Sequence, residues 1–294
     1  LKSLRKKKNK LISLTAMTYN ISYEHVGDRK DKIVSAISNA VSDVDVFGLN
    51  EYNEDWKSYN LTNRFSGFTC YLGEDGMKWH ESDSFIPNDR YTEGFYNPIF
   101  YRTSKFDCLA SGTKWLSSTP DKVSSVEEKK DNLFNRTMTY VILKDKETGV
   151  TFLYVNTHLS TASTEIRQQQ LAILADLVAE IRTGAYAGIP VVIGGDTNEP
   201  TQGNVVGTNG LPASDYAVAW SIAKKQTGKA TMLSDRTYDS TGKGWSGTLT
   251  NVMLDRFVVT KDVDVKEYRT VDNATNGIYP SDHIPLKVYL NIYN

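Results

Sequence analysis

The sequence predicts an α/β protein in which two β-sheets pack face to face with helices on the outside. Three observations predict this class. The 294 residues are enough to bury a large core without disulfides or a structural metal. Apolar runs of strand length outnumber helical stripes. Each half of the chain places one helix before a short buried strand, a pattern that favours two packed sheets over a single alternating one.

The first half is predicted to contain one helix and five strands. The helix covers 29–42, where Ile and Val recur every four residues. The next apolar run, at 44–50, reads as a buried strand between polar residues. The other strands are predicted at 11–22, 67–72, 97–102 and 106–116. Residues 73–96 form a polar loop with aromatic side chains, and loops of this length are usually functional or disordered.

The second half repeats this plan. Residues 164–182 carry a helical stripe of Ile, Leu and Val, and the Pro-initiated run at 190–195 is a buried strand. A Gly-, Asn- and Pro-rich loop is expected at 200–214, followed by a helix at 215–225. The remaining strands are predicted at 137–144, 150–157, 253–260 and 284–292.

The chain is predicted to be one domain, 11–294, preceded by a basic leader at 1–10. The apolar run after the leader is shorter than the roughly 20 residues that span a bilayer, so no transmembrane segment is expected. The Asn, Tyr, Ser and Thr content favours a secreted or cell-surface location over a cytoplasmic one. We expect a monomer.

Charge and cysteine content exclude some functional classes. The chain has 34 Lys and Arg and 35 Asp and Glu. This balance argues against a protein that binds nucleic acid through a large excess of positive charge. A local basic groove stays compatible with this balance. Two cysteines are too few for a zinc ribbon or a disulfide scaffold.

Polar residues end apolar strands at five places along the chain. These strand ends are 19–20, 49–51, 155–158, 194–199 and 281–283. Each alone is typical of a turn or a cap. Their recurrence in both halves is more informative, because strand ends present side chains at the rim of a sheet, where a rigid scaffold can position them.

The residue types at these ends suit metal-assisted chemistry. Asn20, Glu51 and Asp282 offer hard oxygen ligands of the kind that Mg²⁺ or Mn²⁺ prefers. His158 and His283 can transfer protons near neutral pH.

A pair of polar residues and two missing motifs narrow the chemistry further. Asp196 and Asn198 stand two apart, so on an extended segment both could face one water or phosphate oxygen. The chain has neither a G-x-x-x-x-G-K-[ST] phosphate loop nor a G-x-S-x-G nucleophile elbow. Metal-assisted phosphoester hydrolysis is therefore the best chemical interpretation.

In this order, the motifs resemble those of the endonuclease/exonuclease/phosphatase superfamily, the fold of pancreatic deoxyribonuclease. The similarity runs from about Thr15 to Leu290. It is carried by MTYNIS (17–22), GLNEYN (48–53), NPIFYR (97–102), KWLSSTP (114–120), NRTMTYVIL (135–143), NTHLS (156–160), Arg167 with Gln170, GGDTNEP (194–200), LDRFVV (254–259) and SDHIPL (281–286). The resemblance implies a four-layer αββα sandwich of two mixed β-sheets flanked by helices.

The resemblance also implies roles for the strand-end residues. Asn20 and Glu51 would form the metal shell, with Asp282 close to the ion. His283 would be the general base or would orient the attacking water, with Asp255 holding its imidazole.

The phosphate-handling residues follow from the same resemblance. Asp196 and Asn198 would position the water and the phosphoryl oxygens, and Asp196 is itself an alternative general base. His158 would contact the phosphate and stabilise the leaving oxygen.

Three further residues complete the predicted site. Glu93 resembles the carboxylate that pairs with His158 in the nuclease branch. Arg136 resembles a phosphate-binding arginine, whose planar fork suits phosphate. Tyr91, in the loop that is expected to shape specificity, is a predicted substrate contact.

The departures from the family pattern separate its branches. Asn50 stands where many relatives have Gln. Ser22 and His158 replace the Asp and Tyr of apurinic-site endonucleases, which argues against that branch. Glu199 and Pro200 replace the Tyr-Arg pair of the inositol phosphatases.

The sequence therefore predicts a hydrolase that depends on Mg²⁺ or Mn²⁺, most simply a phosphodiesterase or nuclease in which water attacks phosphorus in line. A phosphomonoesterase or lipid phosphodiesterase on the same fold is the alternative, and a catalytically silent binding module is the second alternative. The partner would be a nucleic acid, a phospholipid or a small phosphorylated metabolite.

Overall fold

Two mixed β-sheets of seven and six strands face each other, with helices on their outer sides. The computed structural model describes residues 11–79, 91–92, 94–126 and 134–293. The predicted four-layer sandwich is confirmed. The predicted basic leader at 1–10 lies outside the described residues.

Seventeen strands and five helices form the described part of the chain. The strands are β1 (Leu11–Asn20), β2 (Val46–Asn50), β3 (Phe68–Tyr71), β4 (Lys78–Trp79), β5 (Tyr91–Thr92), β6 (Ile99–Arg102), β7 (Phe106–Trp115), β8 (Thr137–Asp145), β9 (Thr151–His158), β10 (Val191–Asp196), β11 (Tyr216–Val218), β12 (Lys225–Thr227), β13 (Leu233–Asp239), β14 (Gly244–Leu249), β15 (Asp255–Thr260), β16 (Asp264–Thr270) and β17 (Leu286–Tyr293). The helices are α1 (Val26–Ala40), α2 (Glu54–Ser58), α3 (Thr164–Ile181), α4 (Gln202–Val205) and α5 (Ala219–Ile222).

Each large sheet contains a parallel pair of strands joined by a helix that packs outside the sheet. The seven-stranded sheet has the strand order β12-β16-β17-β1-β2-β6-β3, and α1 connects its parallel strands β1 and β2. The six-stranded sheet has the strand order β11-β15-β10-β9-β8-β7, and α3 connects its parallel strands β9 and β10. Parallel neighbours end at the same edge of a sheet, so each pair brings two strand ends together.

Alternation along the strands divides the apolar residues between layers. In β1, Leu14 and Ala16 belong to the core between the sheets. Met17 and Tyr19 lie in a second core with Ile33 of α1. A third core packs α3 against the other sheet. At the start of α3, the Ser163 hydroxyl accepts a hydrogen bond from the Ile166 backbone N–H at 3.2 Å, which caps the helix.

Buried amides join the two sheets below the ends of the parallel strands. Asn156 of β9 donates to the backbone oxygens of Leu49 (2.9 Å) and Pro98 (3.0 Å), which belong to the opposite sheet. Asn50 of β2 donates to the Oδ1 atoms of Asn97 (3.0 Å) and Asn156 (3.2 Å) and accepts from the Asp196 N–H at 3.0 Å. Buried polar groups need such partners, so these contacts fix how one sheet lies over the other.

The structure corrects the prediction at 215–225. This segment is not one helix, because strand β11 precedes the short helix α5 and β12 begins at its end. Tyr216 and Val218 are buried in the core of the second sheet while Ala217 is less buried, which is the two-residue alternation of a strand. Strands β13, β14 and β16 were not predicted, because β13 and β16 are rich in charged residues, β14 is rich in Gly, Ser and Thr, and none of them has an apolar run.

Part of the predicted loop at 73–96 falls outside the described residues, namely 80–90 and 93. Its described ends form the two-stranded ladder β4–β5 and the segment that leads into β6. No helix in the described ranges is long and apolar enough to cross a membrane.

Gly195 lets β10 approach β9 at the site end of the sheet. Its φ is 141°, and an added Cβ would lie 1.8 Å from the Thr157 carbonyl oxygen. We expect Gly195→Ala to lower the free energy of unfolding by about 3 kcal/mol or more in urea denaturation. Gly27→Ala in α1, where nothing lies within 4 Å, is the matched control and should cost nothing. Equal stability of the two variants would contradict this account.

Candidate active site

The ends of the two parallel strand pairs meet across the sandwich. Asn20 aligns with Asn50 in one sheet, and Asp196 aligns with His158 in the other. The antiparallel neighbour β15 places Asp255 beside Asp196. Backbone register thus groups two polar residues at the edge of one sheet and three at the edge of the other, and all five are buried.

Asn20 links carboxylates from the two sheets. Its Nδ2 atom donates to Glu51 Oε1 and to Asp196 Oδ2, both at 3.0 Å. Its Oδ1 atom accepts from the Ser22 backbone N–H at 3.0 Å. The side chain therefore presents N–H groups, rather than its oxygen, to the two carboxylates.

Glu51 occupies a strained backbone position directly after β2. Its φ is 59°, a left-handed conformation that side-chain-bearing residues adopt rarely. Its Oε2 atom accepts from the Tyr23 backbone N–H at 3.1 Å. Burial and the nearby negative charge of Asp282 raise the pKa of Glu51 to about 7.

Asp196 lies at the centre of the site. Its Oδ2 atom is 3.6 Å from His158 Nε2 and 3.8 Å from His283 Nε2. Its Oδ1 atom accepts from the Asn198 backbone N–H at 2.8 Å. Burial and the neighbouring Asp255 raise the pKa of Asp196.

His283 and Asp255 form a close buried pair. The distance from His283 Nδ1 to Asp255 Oδ2 is 2.7 Å. Burial alone would lower the pKa of His283, but the charge and hydrogen bond of Asp255 raise it well above the ordinary value. The other Asp255 oxygen, Oδ1, is buried with no hydrogen-bond partner within the described part of the chain.

The pKa of His158 is shifted in the opposite direction from that of His283. Burial and the positive charges of Arg136 and His283 lower the pKa of His158 well below the ordinary value. The imidazole lies near the Phe95 ring, with 6.0 Å between centroids. The structure therefore places a neutral histidine and a cationic one on the same carboxylate, Asp196.

Asp282 faces an arginine that the sequence did not single out. Arg236 Nη1 lies 3.2 Å from Asp282 Oδ2. Arg236 is carried by the hairpin β13–β14, which Tyr238 anchors by stacking on His25 at 3.6 Å between ring centroids. The hairpin thus brings a positive charge to the rim of the site.

The remaining predicted site residues differ in their surroundings. The Asn198 amide donates to the Leu159 carbonyl at 2.9 Å, so it is turned toward the backbone. Arg136 is buried, with its guanidinium carbon 5.8 Å from the centroid of the Phe134 ring. Tyr91 lies in β5, and Glu93 lies outside the described residues.

Two buried arginines hold the loops of the site in place, and the sequence analysis did not identify either of them. Arg256 donates to Thr197 Oγ1 and to the Glu199 backbone oxygen below the Asp196–Asn198 turn. Arg29 donates to the backbone oxygens of Ile21 (2.6 Å) and Pro280 (2.9 Å), which joins the segment after β1 to the segment before β17. The only sequence signal for Arg29 was its position on the buried face of α1, where an arginine breaks the apolar stripe.

The donor set fits a divalent cation. Ligand atoms of Asp196, Asp255 and His283 all lie within 4.8 Å of one another. Glu51 and Asp282 add carboxylates close enough for Asp282 to raise the pKa of Glu51. Several acidic groups in one buried place, one with an unpartnered oxygen, suit a hard cation that takes oxygen ligands.

This fold and site define a class of phosphoester-cleaving proteins, and sequence comparison identifies it. The sequence model of the Endonuclease/Exonuclease/phosphatase family matches residues 17–283. The chain therefore belongs to that family. A search of curated proteins found no match.

Solved structures of the family share the fold at low sequence identity. A family protein from Bacteroides thetaiotaomicron has 22% identity and a TM-score of 0.77, covering 97% of this chain and 96% of its own. A mannosyl-6-phosphatase from Bacteroides thetaiotaomicron VPI-5482 has 22% identity and a TM-score of 0.71, and the match covers 94% of this chain and 99% of the phosphatase. D. rerio TDP2, complexed with a single-strand DNA product, has 18% identity and a TM-score of 0.67, covering 95% and 98%.

Membership settles the class of reaction. Proteins of this family are hydrolases that cleave phosphoester bonds with the help of divalent metals, and this chain is one of them. The family resemblance and the enzyme class that the sequence predicted are confirmed.

The Arg167–Glu199 ion pair holds the loop that follows Asp196. Glu199 Oε2 accepts from Arg167 Nε at 3.0 Å and Nη2 at 2.9 Å. Burial opposes ionisation, but hydrogen bonds from Thr201, Asn204 and Arg167 lower the pKa of Glu199 below its ordinary value of 4.5. A lowered pKa means that this stabilisation is present above the ordinary value and is lost as the pH falls through the folded-state value.

We expect Glu199→Ala to lower the free energy of unfolding by about 3–5 kcal/mol at pH 7, because Arg167 would be left buried and unpaired. The deficit should shrink as the pH falls below 4.5, the ordinary pKa of Glu. Urea denaturation at a series of pH values measures both effects. Glu147→Ala, in an exposed turn, is the control. A pH-independent deficit would contradict the ion-pair explanation.

Proposed function

We propose that the protein is a Mg²⁺-dependent phosphodiesterase in which water attacks phosphorus in line. One observation carries this proposal: the Asp196 carboxylate lies within 4 Å of Asn20, His158 and His283, at the meeting point of strand ends from both sheets. A carboxylate surrounded by an amide and two imidazoles can orient a water and accept its proton.

The chain's own residues divide the work as follows. Asp196 orients the attacking water and takes its proton, while His283, held by Asp255 at 2.7 Å, fixes the position of that carboxylate. His158 and Arg136 bind the phosphoryl oxygens and stabilise the charge that develops there. Asn198 can reach the same oxygens only if its amide turns away from the Leu159 carbonyl.

Glu51 and Asp282 would hold the cation, together with the Asn20 oxygen after rotation of its amide. The raised pKa of Glu51 supports this assignment, because a bound cation would offset the repulsion from Asp282. When bound, Mg²⁺ supplies positive charge to a phosphoryl oxygen, which lowers the barrier to attack.

A phosphomonoesterase is the second candidate. The similarity in fold to a mannosyl-6-phosphatase and the net charge of −1 favour it. A small phosphorylated substrate would need no long basic track, whereas a polynucleotide gains much of its affinity from one.

A substrate panel separates the two candidates. Plasmid DNA, RNA, sphingomyelin, inositol phosphates and mannose 6-phosphate would be assayed side by side with Mg²⁺, Mn²⁺ or excess EDTA. We expect turnover of a diester that EDTA abolishes. Release of phosphate from monoesters alone would favour the second candidate, and turnover that survives EDTA would overturn the proposal.

Asp196→Asn should lower kcat by about 100-fold or more, because the water would lose its proton acceptor. Circular dichroism and urea denaturation should show an intact fold. Asp107→Asn is the matched control, since the Asp107 side chain is 59% exposed on β7. Unchanged turnover in Asp196→Asn would exclude the proposed role.

Glu51→Gln tests the cation site without using activity. The variant removes one negative charge from the ligand set, so calorimetry should show Mg²⁺ binding weakened by about tenfold or more. Glu74→Gln, outside the cleft, should bind Mg²⁺ as the unsubstituted protein does. Equal affinity in the Glu51 variant would remove Glu51 from the metal site.

A further inference from the structure

Three aromatic rings line one side of the candidate active site. Tyr23 lies 5.3 Å from Phe95 and 6.3 Å from Phe134, measured between ring centroids. Phe95 and Phe134 stack at 4.4 Å with 9° between their planes. We call these three residues the aromatic wall.

The aromatic wall reaches both halves of the reaction centre. At one end, the Tyr23 backbone N–H donates to Glu51 Oε2 at 3.1 Å. At the other end, the Phe95 ring lies 6.0 Å from the His158 ring. A substrate whose phosphate lay between Glu51 and His158 would therefore place its neighbouring group against these rings.

Hydrogen bonds fix the segments that carry the two phenylalanines. The Asp75 carboxylate accepts from the backbone N–H groups of Met77 (2.8 Å) and Gly94 (2.9 Å). The Asn135 N–H donates to the Met77 carbonyl at 3.1 Å, which joins the Phe134 segment to the same frame. At Gly94, an added Cβ would lie 2.7 Å from the Met77 carbonyl carbon. The wall is thus held in place before any ligand binds.

The exposure of the wall indicates a shallow surface. Tyr23 is 41% exposed, whereas Phe95 behind it is 7% exposed. The Arg136 guanidinium lies over Phe134, and Arg236 lies at the rim of the same site, 3.2 Å from Asp282. An exposed aromatic face with cations at its edges suits a flat or ring-shaped polar group. It suits a long acyl chain poorly, because such a chain needs a deep apolar groove.

We propose that the aromatic wall binds the ring of the alcohol esterified to the scissile phosphate, either a nucleobase or a sugar, with Tyr23 as the main specificity-determining contact. This inference rests on the proposed phosphoester hydrolysis and names the substrate class of that same site. Stacking of a ring on an aromatic side chain strengthens binding by about tenfold.

The test uses three methyl phosphodiesters that share a primary alkyl phosphate and differ in the attached alcohol: thymidine through O5′, mannose through O6, and glycerol through O3. The corresponding monoesters form a parallel series. Chromatography gives kcat and KM for the unsubstituted protein, Tyr23→Ala and Tyr23→Phe. Tyr293→Ala is the control, because Tyr293 is 40% exposed and pairs with Leu11, at the opposite end of β1 from the site.

We expect Tyr23→Ala to raise KM for one of the ring esters by about tenfold, with kcat and all values for the glycerol ester nearly unchanged. Tyr23→Phe and Tyr293→Ala should resemble the unsubstituted protein. The ester that responds tells whether the ring is a base or a sugar. Calorimetry of thymidine 5′-phosphate and mannose 6-phosphate should show the same loss of affinity without turnover.

Two negative results remain distinguishable. If the unsubstituted protein hydrolyses none of the six esters and no member of the wider panel, the proposed function fails. If it hydrolyses ring and glycerol esters, and Tyr23→Ala changes all of them equally or none of them, the aromatic wall is not a substrate contact. A preference for sphingomyelin that Tyr23→Ala leaves unchanged would also overturn the inference.

Discussion

The crowding of carboxylates into one cleft is the constraint on which the rest of the site depends. Glu51, Asp196, Asp255 and Asp282 are held near one another and largely away from water. Carboxylates so placed repel one another and lose hydration. Hydrogen-bond donors and positive charges next to these carboxylates reduce the repulsion: the Asn20 amide, the His283 imidazole and the Arg236 guanidinium. Burial and the repulsion between neighbouring carboxylates raise the pKa values of Glu51 and Asp196, and a divalent cation bound beside them would favour their charged forms.

Such crowding requires that two separate sheets hold a fixed alignment. Asn50 and Asn156 provide it, because their amides bond across the gap between the sheets directly below the strand ends. Asn50 also accepts from the Asp196 N–H, so the same side chain aligns the sheets and fixes the backbone of the central carboxylate.

The sequence predicted what local patterns determine. Apolar runs and helical stripes located β1, β2, β9, β10, α1 and α3, with ends within about three residues of those observed. The polar ends of those strands contained most of the residues that the structure gathers. Arg236 could not be found in this way, because it lies mid-hairpin in a polar stretch and becomes relevant only when Tyr238 stacks on His25. The aromatic wall could not be predicted either, since its rings come from three segments that are distant in sequence and meet only in the folded protein.

The two histidines show why residue type at a strand end does not determine its role. Both lie within 4 Å of Asp196 Oδ2, and both are buried. His283 also contacts Asp255, which favours its cationic form, whereas burial and the Arg136 charge favour the neutral form of His158. One carboxylate thus has a cationic donor on one side and a neutral ring on the other. That difference comes from the second neighbour of each imidazole, Asp255 or Arg136, because both rings are buried.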